Sequence, residues 1–93
     1  MEKYNIYLRD KDDPLTVEVG KSYLIEVKGW IMCKDVDAGQ YRMVITKYHN
    51  YFVGDLYKPR GNKLIVRHML DELMFMSNEC TDNNGTIIIK ELE

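Results

Sequence analysis

Alanine occurs once in these 93 residues, at Ala38, whereas lysine, asparagine, isoleucine and tyrosine together supply 30. That bias is the signature of AT-rich codons and points to a low-GC bacterium, one of its phages or an AT-rich virus. No apolar run approaches the roughly 18 residues a membrane-spanning helix needs, and no signal-peptide core opens the chain. A soluble, cytoplasmic protein without a membrane partner is the expectation. The 2 cysteines, Cys33 and Cys80, form no CxxC or Cys/His spacing. Neither a zinc site nor a disulfide framework is signalled, and both are expected to be free, buried thiols. Repeats, linkers and low-complexity stretches are missing too. Because cores rarely split below roughly 250 residues, residues 1–93 are expected to form a single domain.

The apparatus of catalysis is equally sparse. Serine occurs only at Ser22 and Ser77, outside any G-x-S-x-G context. The acidic pairs Asp12-Asp13 and Asp71-Glu72 are adjacent, so they face apart on a strand and are solvated on a helix. His49 and His68 have no motif around them, and the glycine spacing of a Walker loop is missing. These absences predict a non-enzyme with no metal and no cofactor.

What the chain does have is segregated charge. Its net charge of −2 argues against a polyanion-binding surface all round. Residues 40–68, however, carry Arg42, Lys47, Lys58, Arg60, Lys63 and Arg67 against Asp55 alone, while the segments on either side are net acidic. The same stretch holds Tyr41, Tyr48, Tyr51, Phe52 and Tyr57, which is 5 of the 10 aromatics.

Hydropathy patterning supplies the elements. Tyr4, Ile6 and Leu8 alternate with polar neighbours as a first strand, which Asp10-Lys11-Asp12-Asp13-Pro14 breaks. Leu15, Val17 and Val19 form a second, and a longer one runs from Ser22 to Cys33 with Gly29 as its bend, beside Trp30. Gln40–Lys47 and Tyr51–Tyr57 read as a hairpin closed at His49-Asn50. Lys58–Asn62 is a loop. From Lys63 to Glu79, polar and apolar positions recur with a period of about 3.6 residues, which predicts a helix capped by Asn62. The β-branched Ile65 and Val66 leave a competing reading, in which Lys63–Arg67 is a sixth strand. Thr81–Gly85 is a turn, and Thr86–Leu92 a closing strand whose isoleucine run predicts burial on both faces. The expected class is α+β: an antiparallel curled sheet or small half-open barrel of five to six strands, with one helix before the last strand.

Function follows from where the basic and aromatic residues fall. Lys58, Arg60 and Lys63 around Gly61, at the entrance of the expected helix, would offer an anion site. Tyrosines beside arginines and lysines on a sheet offer stacking surfaces for bases and counter-charge for phosphates. The expected ligand residues are Arg42, Lys47, Tyr48, His49, Tyr51, Tyr57, Lys58, Arg60, Lys63 and Arg67. Leu64 and Phe75, three turns apart on the polar side of the helix, are the expected contacts of a homodimer. The sequence thus predicts a non-enzymatic binder of a phosphate-bearing ligand, either a nucleotide signal or nucleic acid, and fits a phage or mobile-element accessory that counters host defence. The alternative is a protein–protein inhibitor or adaptor that occupies a host enzyme through its acidic ends or Phe75.

Overall fold

The computed structural model describes residues 2–29 and 35–92. Trp30 and Cys33, with the expected end of the long strand, lie outside the described residues. A small antiparallel hairpin comes first, pairing β1 (Lys3–Ile6) with β2 (Leu15–Glu18). The other strands are β3 (Ser22–Val27), β4 (Gly39–Tyr48), β5 (Tyr51–Tyr57), β6 (Leu64–Met69) and β7 (Thr86–Leu92). They form one five-stranded sheet in the order β6-β5-β4-β3-β7. Every neighbouring pair in it is antiparallel, and the sheet is not closed. β3 to β6 are laid down as a meander; the chain then crosses from one edge to the other through residues 70–85, and β7 adds beside β3.

Alternation decides which face is buried. Tyr23, Ile25 and Val27 of β3 share a face with Tyr41, Met43 and Ile45 of β4 and with Leu56 of β5, all less than a tenth exposed. The hairpin contributes Ile6 and Val17 to the same core. Gly54, opposite Ile45, lies where a Cβ would come within 2.9 Å of the Met43 sulfur, so the sheet's centre is close-packed. At the β4–β5 turn His49 takes φ 56°, a left-handed conformation that histidine tolerates better than most side chains.

The expected helix is not there, and with it the α+β class falls. Among the described residues the protein is all-β apart from a single 3₁₀ turn at Leu70–Leu73. Residues 64–69 are an edge strand paired with β5, the competing reading, because β-branched Ile65 and Val66 are satisfied by the open edge of the meander. A register shift between Leu56 and Tyr57 leaves Ile65 bulged out of the ladder. The helical periodicity was a composite of two unrelated pieces. Leu70 and Leu73 have the i, i+3 spacing that one 3₁₀ turn also serves, and both are buried. Met74 then turns left-handed at φ 52° and ends it. Phe75 and Met76 continue extended, bridging Thr86 at the start of β7, and are buried in the core. β7 is likewise not buried on both faces: it is an edge strand, with a register shift opposite Leu24/Ile25 and Ile89 left 38% exposed.

Hydrogen bonds between remote segments hold the crossover down. Arg9 donates its main-chain N–H to the Phe75 carbonyl at 3.0 Å, and its Nη2 reaches Asp82 at 2.8 Å. Asp10 accepts the Ser77 main-chain N–H at 2.7 Å and also the Ser77 hydroxyl. These bonds lower the Asp10 pKa below the ordinary carboxylate value. A depressed folded-state pKa contributes stability above the unfolded value that is lost as pH falls through the folded one. The melting temperature of the wild-type protein is therefore expected to exceed that of Asp10→Asn at neutral pH, and the gap to close on acidification below the ordinary carboxylate range. A pH-independent gap would show that the carboxylate charge is not what Ser77 stabilises.

Candidate functional site

The face of β4, β5 and β6 turned away from the core carries the basic and aromatic residues. Register alone assembles it. Arg42 is opposite Tyr57, Val44 opposite Asp55, Thr46 opposite Val53 and Tyr48 opposite Tyr51. On the next strand Met69 faces Val53, Arg67 faces Asp55 and Leu64 faces Tyr57. This outer face is therefore a surface two to three side chains wide and one strand long.

Its centre is an ion pair sunk into the sheet. Asp55 is only 5% exposed although it points away from the core. Arg67 covers it with Nε at 2.6 Å and Nη2 at 3.1 Å, and the Thr46 hydroxyl donates to it at 3.2 Å. Such a two-pronged contact is the strong form of a carboxylate–guanidinium pair, and Asp55 raises the Arg67 pKa through hydrogen bonding and charge. The same guanidinium lies 5.0 Å from the Tyr48 ring centroid, and His49 meets Tyr48 edge-on at 4.4 Å. With these two contacts Tyr48 stays 51% exposed, and Tyr51 across the strand pair is 57% exposed.

The other end is cationic. Arg42 stacks 4.4 Å over Tyr57 and donates to the Gly61 carbonyl at 2.6 Å, which ties the β5–β6 loop to the sheet face. The loop turns through a Gly61 N–H bond to the Lys58 carbonyl at 3.0 Å. Lys58, Gly61, Asn62, Lys63, Leu64 and Ile65 line a concavity of about 440 Å³ there. The side chains of Lys58, Arg60 and Lys63 are exposed and make neither ion pair nor hydrogen bond with a described residue.

Nine of the ten expected ligand residues thus lie on this face, its turn or its loop: Arg42, Tyr48, His49, Tyr51, Tyr57, Lys58, Arg60, Lys63 and Arg67. Lys47 does not join them. It alternates to the opposite side, pairs with Glu2 at 2.9 Å and lies 5.5 Å from the Phe52 ring centroid. The anion site cannot be a helix N-terminus, because no helix starts at Lys63; the loop's cations stand on a hairpin connection instead. Phe75 is 3% exposed, so it is a core residue and not an interface contact, whereas Leu64 is 41% exposed at the edge. His68 alternates inward beside Glu72 at 3.7 Å, away from the face that carries Arg67. Met69, 38% exposed, is not among the expected ligand residues; it follows Arg67 by two positions on β6 and so shares its outward face.

Comparison with known protein families, with curated proteins and with solved structures finds no match. Among the described residues no three His, Cys, Asp or Glu side chains could hold a metal ion, and no helix is long and apolar enough to cross a membrane. Cys80 is half-buried and free.

Proposed function

We propose that this protein binds single-stranded nucleic acid along the outer face of β4, β5 and β6, without chemistry. The observation that carries the reading is the three unpaired cations Lys58, Arg60 and Lys63 at one end of a face that exposes Tyr48 and Tyr51 at the other. Flat rings take bases of any sequence, and cations meet the backbone. The span favours a strand over a mononucleotide: β5 has 7 residues, which at about 3.3 Å each separates the tyrosine end from the loop by roughly 20 Å. The concavity beside Lys58 and Lys63, floored by Leu64 and Ile65, suits a nucleotide at the end of such a strand. Set with the AT-rich composition, this fits a cytoplasmic accessory protein of a phage or mobile element that counters host defence by occupying nucleic acid.

The second reading, an inhibitor or adaptor bound to a host protein, is favoured by Leu64, Ile65 and Met69, each about two-fifths exposed along the open edge strand β6. The two readings part at the tyrosines. Tyr48→Leu and Tyr51→Leu keep apolar bulk and lose the ring, so each is expected to weaken binding of a labelled single-stranded oligonucleotide by about 1–3 kcal/mol per stacked base. Thermal stability should hardly change, since both side chains are more than half exposed. Wild-type affinity in both variants would remove the nucleic-acid reading. Arg67 is the wrong position for this test, because its removal leaves Asp55 buried without its counter-charge and costs stability as well.

A further inference from the structure

A second cavity, of about 300 Å³, opens between the β1–β2 hairpin and the 3₁₀ turn, remote in the fold from the β5–β6 loop. Three of its lining residues are aromatic: Tyr4, Tyr7 and Phe75. Phe75 is buried, Tyr4 is fixed by a ring contact with Phe52 at 4.7 Å, and Tyr7 stands at the mouth with 74% of its surface exposed. Among the described residues, the one acid lining the cavity is Asp71. Its carboxylate makes neither hydrogen bond nor ion pair with a described residue. The one base among those described residues is Arg9, and its Nη2 is drawn off to Asp82 at 2.8 Å, the Asn84 carbonyl at 2.9 Å and the Met76 sulfur at 3.4 Å, none of which lines the cavity. Asp82 offsets the arginine, so the charge left at the rim is the negative charge of Asp71.

Aromatic faces attract a cation through the ring quadrupole, most strongly when it is desolvated, and methylated ammonium groups desolvate readily. A hollow lined by two accessible tyrosines, with the buried Phe75 behind them and an exposed carboxylate without a described partner at its rim, combines both requirements. We propose that this cavity is a binding site for a trimethylammonium group, free as in choline or carried on a trimethylated lysine side chain.

The test is an NMR titration of the whole protein with tetramethylammonium, choline, trimethyl-lysine and the neutral tert-butyl analogue of choline. The cations should shift the ring resonances of Tyr4, Tyr7 and Phe75 and bind about fivefold or more tighter than the neutral analogue. Tyr7→Leu and Asp71→Asn, both exposed positions that should leave the circular dichroism spectrum unchanged, should each weaken tetramethylammonium about threefold or more. Saturable binding of either choline or trimethyl-lysine at these rings supports the site. Equal affinity for the neutral analogue, ring shifts that do not saturate, or unchanged affinity in both variants overturns it.

Discussion

Phe75→Asp is expected to unfold the protein, and Phe75→Ala to lower its stability by about 3–5 kcal/mol, the range for deleting a buried phenylalanine ring. The side chain is 3% exposed within the same core cluster as Leu70 and Leu73. Its neighbours are fixed by the main chain: Phe75 bridges Thr86, its carbonyl takes the Arg9 N–H, and Met76 donates to Thr86 at 2.9 Å. A carboxylate there would be largely withdrawn from water among apolar side chains, which costs more than the lost ring alone. Chemical denaturation of Phe75→Ala measures the effect. A folded Phe75→Asp protein whose only change is from dimer to monomer would instead return Phe75 to a surface and contradict the all-β crossover.

Gly85→Ala is expected to be nearly as damaging. Gly85 sits at φ +125°, where side chains are rarely accommodated, and an added Cβ would lie 2.6 Å from the Met74 carbonyl oxygen. Backbone cannot swing aside as a flexible side chain can, and this carbonyl already accepts the Thr86 N–H at 3.2 Å. Strain and overpacking together should cost roughly 3 kcal/mol or more, seen as a fall in melting temperature of about 10–20 °C for a domain of this size. Gly20→Ala is the control. It has φ +89° with nothing within 4 Å of the added Cβ, so only the left-handed conformation is penalised, by about 1–2 kcal/mol. Equal losses at the two glycines would mean that the packing of the crossover against Gly85 contributes nothing.

The strands were legible where one face is buried and the other is not. Tyr51–Tyr57 was read at its observed bounds, Gln40–Lys47 within one residue at each end, and the turn at His49-Asn50 where it lies, because alternation and turn chemistry agree there. The stretch from Lys63 to Glu79 misled because its period belongs to no single element. Val66 packs from an edge strand, Leu70 and Leu73 from a 3₁₀ turn and Met76 from extended chain, and their summed spacing imitates a helical stripe that leaves the buried Phe75 off it. A periodic pattern does not specify the backbone that carries it, and here it also misassigned Phe75, which is buried, and Ile65 and Met69, which are exposed. Much of the candidate site was visible as composition, basic and aromatic residues crowded into residues 40–68. The pairing of Arg67 with Asp55 was not visible, since it needs the register between β5 and β6. Lys47 was misplaced for a related reason: a one-residue step along β4 changes the face on which a side chain stands.

On the proposed reading, the unpaired cations of the β5–β6 loop serve a nucleic-acid backbone. Fluorescence anisotropy of a labelled single-stranded oligonucleotide, followed from low to moderate salt, tests it most directly. The wild-type protein should lose affinity steeply with salt. The triple variant Lys58→Ala, Arg60→Ala and Lys63→Ala should bind more weakly at low salt, with its log–log slope flattened by about 2, which is roughly 0.7 for each phosphate contact removed. A triple variant that matches the wild type in both affinity and slope, or a wild-type protein that binds no oligonucleotide at low salt, would contradict the account.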